Sequence, residues 1–258
     1  MDVWREATNN WSQLCVAMGC RRIRIRDVLV HTYPIQRSGT FYNSAFVLNP
    51  ESFLLEEVER FYAERRLPFG VILANLKPYE ELGKSLQERG YSLAPSWTLM
   101  THKGLADGNN PEIRVVEANR SNLEEWFELL EAFPHPELSR PTRLEMIKRV
   151  SEEKSVQLLI ASLQGRFVGT GLLFMKDEVA SIHMIATRSD FRRRRVATTV
   201  TIEAIRRAEK SKAGLIWLRT RKGGVGEKVY ARIGFTSFTD ILAYSKTPKY
   251  EDTNLPPR

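Results

Sequence analysis

The chain reads as an α+β protein built on a mixed, mostly antiparallel sheet flanked by helices, and three observations predict this. Apolar runs of strand length alternate with amphipathic runs of helix length along almost all of the 258 residues. Val156 to Leu163 and Arg166 to Phe174 are two strand patterns separated only by Gln164-Gly165, a hairpin signal. Ala180 to Ala208 reads as an apolar strand, a short basic turn and a helix, with Val196, Val200, Ala204 and Ala208 recurring every four residues.

In chain order, Val3 to Met18 is an amphipathic helix. Arg21-Arg22-Ile23-Arg24-Ile25-Arg26 alternates arginine with isoleucine, as an edge strand with one wet face requires. Phe41 to Leu48 is a strand, Pro50 to Arg66 a helix, and Phe69 to Ala74 a buried strand. Pro78 to Arg89 is a helix that Gly90 stops, and Tyr91 to His102 is a long or bent strand interrupted at Pro95. Gly104 to Pro111 is rich in Gly, Asn and Pro and has no means of packing a core, so it marks a linker.

Beyond it, Ile113 to Glu117 is a strand. Ser121 and Glu124 form a capping-box pattern ahead of a helix that buries Leu123, Phe127, Leu130 and either Leu129 or Ala132. Pro134, Pro136 and Pro141 form a rigid connection to a helix over Thr142 to Glu152. After the hairpin come strands at Val179 to Thr187 and Leu215 to Arg219. A glycine-rich connection at Gly223, Gly224 and Gly226 leads to a short helix reaching Ile233 and a final strand from Phe235 to Ser245. The expected units are 1–108, 109–247 and a loose tail at 248–258.

Composition narrows the function classes. At 42% apolar and 27% charged, the chain has the make-up of a soluble globular protein. No apolar run reaches a membrane span of ~20 residues, and the N-terminus lacks a signal-peptide pattern, so a cytoplasmic location is expected. Cys15 and Cys20 are the two cysteines; neither a disulfide framework nor a metal site is expected. The formal charge of +8 suits an anionic partner, and residues 1–110 carry +1 of it against +7 beyond. The anion therefore belongs with the C-terminal half. Nucleic acid is disfavoured as a partner because no aromatic stacking set is interleaved with the arginines.

Arg192-x-x-Arg195-x-Ala197 resembles the pyrophosphate-binding signature of the GNAT N-acetyltransferase superfamily, although Arg195 stands where that signature has Gly. The element order over 112–246 is similar to the GNAT fold, Gln164 to Gly171 resembles the hairpin of its second and third strands, and Val229-Tyr-Ala-Arg-Ile-Gly-Phe235 resembles its hydrophobic-Tyr-x-x-x-Gly-Phe element. The resemblance implies acetyl-CoA as acyl donor and a small-molecule or peptide amine as acceptor, and leaves a homodimer open.

Its pyrophosphate would lie on Arg192, Arg193, Arg194, Arg195, Val196, Ala197 and Thr198, and its pantetheine arm beside Met184, Ile185 and Ala186. Arg195 would either crowd the cofactor or fold over it as an extra cation. Tyr230 would be the general acid, since a phenol of pKa near ~10 stays protonated at neutral pH and can donate to a thiolate. His183 resembles a histidine of arylalkylamine N-acetyltransferases and would take the proton of the amine, with Ser181 positioning a water. Gly223 and Gly226 stand where the family often has Asn and Ala. Two other readings follow from the same residues: a GNAT-like protein that binds acetyl-CoA without turnover, and a basic RNA-binding module.

Finally, Ser85 to Leu93 overlays Val229 to Ser237, which implies a degenerate GNAT-like half in 1–105. Leu86 there takes the place of Tyr230, so that half is expected to be scaffold, substrate wall or dimer surface.

Overall fold

Residues 2–33, 42–104, 107–131 and 138–246 are described by the structure, a computed structural model. In the first half, α1 (Val3–Ala17), β1 (Arg21–Ile25), β2 (Val28–Thr32), β3 (Ser44–Val47), α2 (Leu55–Ala63), β4 (Gly70–Ala74), α3 (Glu80–Glu88), β5 (Ser92–Leu93) and β6 (Trp97–His102) follow one another. The second contains β7 (Arg114–Glu117), α4 (Leu123–Glu131), α5 (Arg140–Ser151), β8 (Val156–Leu163), β9 (Arg166–Lys176), β10 (Val179–Thr187), α6 (Val196–Lys210), β11 (Leu215–Arg221), α7 (Val225–Ala231) and β12 (Phe235–Ser245).

All twelve strands of the described residues join one sheet, in the order β1-β2-β3-β4-β12-β6-β11-β10-β9-β8-β7, with β5 on β12. The pairs β3/β4 and β10/β11 are parallel and every other pair is antiparallel. The order reads almost the same from either end. In each half an antiparallel series ends in a strand, a helix and a parallel strand, as β3-α2-β4 and β10-α6-β11 do.

At the centre the halves exchange their last strands. β6 leaves its own half to pair with β11, and β12 crosses to β4, so β6 and β12 lie side by side between the two parallel pairs. The exchange satisfies the backbone groups of both strands and makes one sheet of two patterns.

Helices cover both faces. The apolar stripe Trp4, Ala7, Trp11, Leu14 and Cys15 of α1 is buried in a core shared with β2–β4, α4, α5 and Trp217 of β11. On the other face, Val196, Val200, Ala204, Ile205 and Ala208 of α6 pack on β9, β10 and β11 with Phe235. Burying each such Val or Ile contributes about 1.5–3 kcal/mol. α1 also reaches across the halves: Asn10 Nδ2 donates to Val179 O on β10 at 3.1 Å, and Trp217 Nε1 donates to Asn10 Oδ1 at 3.3 Å.

Several local expectations are corrected. Ile23 is exposed along with its arginine neighbours on β1, the outermost strand of the sheet. β2, fully buried, carried no separate sequence signal because only Asp27 and a left-handed Arg26 part it from β1. Ser121 does not close a capping box: its Oγ donates to Asn119 Oδ1 at 2.6 Å, and Asn122 O accepts the amide of Trp126 at 3.0 Å. That helix buries Trp126, whose Nε1 donates to Leu159 O at 2.8 Å, beside Phe127. Pro141 lies in the first turn of α5, where its missing N–H has no helical partner to lose. Phe41, Ala132, Pro134, Pro136 and the 248–258 tail lie outside the described residues.

Candidate active site

The two parallel strands of the second half part company midway. β10 and β11 are paired from Val179/Leu215 to Ile182/Leu218, and no pair joins them beyond that point. β11 continues on β6 as far as Arg221/Trp97, while β10 continues on β9 to Thr187/Gly169. A bulge between His183 and Ala186 bends β10 away, with Met184 left-handed at φ 53°. Thr170 Oγ1 donates to Met184 O at 3.0 Å and holds the bulge in place. The result is a split in the sheet lined on one side by Met184, Ile185 and Ala186.

Two glycines of β9 bring α6 down onto this bulge. A Cβ on Gly169 would stand 2.4 Å from Val196 Cγ1 and 2.9 Å from Ala186 O; one on Gly171 would stand 2.7 Å from Val200 Cγ1 and 2.9 Å from Ile185 Cδ1. Only glycine permits that approach. The Gly169-Thr170-Gly171 triplet therefore sets both the bend of β10 and the seat of the helix.

The start of α6 is basic and uncapped. Arg193 and Arg195 are left-handed, with φ of 64° and 63°, and the helix has neither a side-chain cap nor an acidic residue in its first turn. The amides of Val196, Ala197 and Thr198 are thus three of the four that a helix start leaves without intrahelical partners. The left-handed conformation also explains the glycine at this place in the family signature. Arg195 adopts it at a cost of about 1 kcal/mol, and its side chain is exposed.

Arg192, Arg193 and Arg195 form no ion pair among the described residues. Asp190 instead binds Arg188 at 2.9 Å and Arg166 at 3.8 Å, and Arg194 lies over the Phe191 ring at 5.3 Å. The described end of the linker segment docks here: Asn110 N donates to Thr199 Oγ1 at 2.9 Å and Asn110 Nδ2 to Arg194 O at 3.2 Å. An open cleft of about 410 Å³ between them is lined by Asn109 to Glu112, Leu163 and Arg193 to Arg195.

His183 and Tyr230 sit on opposite faces of the split. His183 meets Trp217 edge to face at 5.5 Å, on the side covered by α1. Its Nε2 is buried without a partner among the described residues, as is Ser181 Oγ on the same strand face. Burial and the nearby Arg219 charge pull its pKa down to about 3. Tyr230 packs on Phe235 at 6.0 Å, on the α6 side. Its hydroxyl has no hydrogen-bond partner among the described residues, and burial pushes its pKa up to about 12. Gly226 has a local reason: a Cβ there would come within 2.5 Å of Thr220 Oγ1 and 3.3 Å of Tyr230 Cε2.

The structure thus gathers Met184 to Ala186, His183 and the start of α6 around one split. Sequence reading passed over Thr170, Asn110, Trp11, Trp97 and Arg219. A usable signal existed only for Arg219, a charge that ends the apolar run Leu215-Ile-Trp-Leu.

The chain thus has the mixed, mostly antiparallel sheet of a GNAT fold, with a split strand pair next to an uncapped basic helix start. Residues 122–235 match the model of the Acetyltransferase (GNAT) family. A GCN5-related N-acetyltransferase from Kribbella flavida superposes with a TM-score of 0.72 at 16% identity, covering 96% of this chain and 97% of that one. A functionally unknown conserved protein from Staphylococcus epidermidis ATCC 12228 gives 0.66 at 13%, over 89% and 94%. A GCN5-related N-acetyltransferase from Sphaerobacter thermophilus gives 0.62 at 16%, over 79% and 72%. At these identities the likeness is one of fold, and it extends over nearly the whole chain. No curated protein sequence matches significantly. Among the described residues no helix is long and apolar enough to cross a membrane.

Proposed function

We propose that the protein is an N-acetyltransferase that uses acetyl-CoA and carries one active site, at the β10/β11 split. The observation that carries this reading is the start of α6: free amides, left-handed Arg193 and Arg195, and arginines unopposed by carboxylates, all beside a split strand pair. When bound, acetyl-CoA supplies an acetyl thioester, and transfer forms an N–C bond, breaks the C–S bond, delivers one proton to sulfur and removes one from nitrogen.

The amides of Val196 to Thr198 and the side chains of Arg192 to Arg195 would hold the pyrophosphate. The backbone of Met184, Ile185 and Ala186 would hold the pantetheine arm in the split. Tyr230 would protonate the leaving thiolate; at about 12 its phenol is fully protonated at neutral pH and has no competing hydrogen bond among the described residues. His183 is neutral above pH ~3 and too weak a base to hold a proton from an alkylammonium of pKa near ~10. It would instead align an amine that arrives unprotonated, and take the proton only as bond formation makes the N–H acidic.

A thermal-shift titration with acetyl-CoA tests the binding half of this reading. Saturation at a hundred times Kd stabilises the fold by about 2.7 kcal/mol, and Arg192→Ala should abolish the shift. Tyr230→Phe tests the chemical half: kcat should fall roughly 10²-fold or more with acetyl-CoA affinity unchanged. No shift in the wild type would sink the cofactor assignment, and an unchanged kcat in the tyrosine variant would remove Tyr230 from the chemistry.

A further inference from the structure

The linker between the halves ends on the arginine turn, and Asn110 makes the contact with each of its polar groups engaged. Its N–H donates to Thr199 Oγ1 at 2.9 Å and its Nδ2 to Arg194 O at 3.2 Å. Its Oδ1 accepts the amide of Glu112 at 3.0 Å, and its O accepts the amide of Ile113 at 3.1 Å. The last two bonds tie Asn110 to the residues just ahead of β7, so it is a fixed arm rather than a loose tether. The first two reach the start of α6.

Those two bonds set the direction of the peptide planes that precede the helix. In a trans peptide unit the C=O and the N–H point in opposite directions, and the described residues contain no cis bond. Holding Arg194 O against Asn110 therefore turns the N–H of Arg195 away from the linker, where it has no hydrogen-bond partner among the described residues. Thr199 Oγ1, which accepts the Asn110 amide, donates in turn to Arg195 O at 2.9 Å, and Thr199 N donates to the same oxygen at 2.9 Å. That fixes the next plane and with it the N–H of Val196. Arg193 and Arg195, on either side of Arg194, are both left-handed. Side chains adopt such a path only where the surroundings impose it. Without the linker bonds the turn has less strained conformations, in which the two amides do not keep this direction.

We propose that Asn110 and Thr199 are positioning residues of the cofactor site: the linker holds the arginine turn in its left-handed form and so aims the amides of Arg195 and Val196 at the pyrophosphate of acetyl-CoA before it arrives. This rests on the transferase reading for the ligand, and on the bonds of Asn110 to Arg194 and Thr199 for the device. Donors already in place bind an anion without the cost of ordering a loop around it. The segment that joins the two halves is thereby a working part of the site in one of them.

The test is isothermal titration of the whole protein with acetyl-CoA and with S-acetylpantetheine, which has the thioester but no pyrophosphate, alongside urea melts. Asn110→Ala should weaken acetyl-CoA about tenfold, the worth of roughly one hydrogen bond, and leave S-acetylpantetheine unchanged. Thr199→Val should act in the same direction, and Thr199→Ser, which keeps the hydroxyl, should restore the wild-type affinity. The double variant Asn110→Ala/Thr199→Val should lose less than the product of the single losses, because both changes act on one turn. A lower urea midpoint with acetyl-CoA affinity unchanged, or an equal loss for both ligands, overturns the proposal and makes the contact structural only. If Asn110→Ala does not fold, the Thr199 pair carries the test, and equal acetyl-CoA affinities for Thr199→Val and Thr199→Ser overturn the proposal. A wild type that does not bind acetyl-CoA removes the transferase reading and this proposal together, whereas binding by the wild type that Asn110→Ala matches removes this proposal alone.

Discussion

The segments that follow β3 in the first half and β10 in the second occupy matching places in the sheet and have opposite chemistry. After β3, a 3-10 turn at Pro50–Ser52 leads to α2, whose first turn carries Glu56 and Glu57. These acids sit at the positive end of their own helix and pair outward, Glu56 with Arg89 at 2.5 Å and Glu57 with Arg26 at 3.2 Å. After β10, a 3-10 turn at Ser189–Phe191 leads to α6, whose first turn has no acid and is preceded by four arginines. One helix start is neutralised from within; the other has no acid of its own. Matching backbone paths therefore do not carry matching charges, and what a fold can do depends on the charges placed on it.

The sharpest way to break this contrast is to move the acid. Ala197→Glu puts a carboxylate in the first turn of α6, as in α2, and should weaken acetyl-CoA binding roughly 100-fold, about 2.7 kcal/mol. The reciprocal change, Glu56→Gln with Glu57→Gln, should not create a second site, and titration should still give one acetyl-CoA per chain. A stoichiometry of two would show that the acids alone silence the first half.

A second contrast concerns the histidine buried in each half. His31, held by Ser12 Oγ at 2.8 Å, is lowered to about 4 by burial, with Arg22 adding to the effect. Its folded pKa lies below the unfolded value near ~6.5, so the unfolded chain binds more protons between those values. Stability should therefore fall as pH drops from ~6.5 toward ~4, by about 3 kcal/mol for His31. His183 contributes in the same direction and continues to lower pH. Urea midpoints at pH 7 and pH 4.5 measure this, and His31→Gln should flatten the slope more than it shifts the pH 7 midpoint. Equal slopes in wild type and variant would remove His31 as the cause.

Gly169→Ala attacks the seat of α6 directly. The methyl group 2.4 Å from Val196 Cγ1 forces the helix or β10 to move, with about 1–3 kcal/mol of destabilisation in urea melts and weaker acetyl-CoA binding. The smallest expected effect is that of Arg195→Gly. Glycine relieves the left-handed strain, so the fold should gain at most about 1 kcal/mol, and binding should change less than with Arg192→Ala. A large loss on Arg195→Gly would instead make that side chain a principal phosphate ligand.

The sequence by itself determined the parts whose cause is local. Period-four apolar positions specify α6, Gln164-Gly165 turns β8 into β9, and Gly90 ends α3 with φ of 82°. The arginine turn is legible for the same reason, since four consecutive cations before an amphipathic run need no distant partner to be seen. Tertiary structure alone decided who lies beside whom. The apolar pattern of β6 and β12 marks them as buried strands, but ladder hydrogen bonds are made by backbone groups common to every residue, so the pattern does not choose β11 over β4 as the neighbour. The split and the Asn10 bridge from α1 to Val179 and Trp217 both depend on that choice. The bridge joins residues up to 207 positions apart, where no local periodicity carries information.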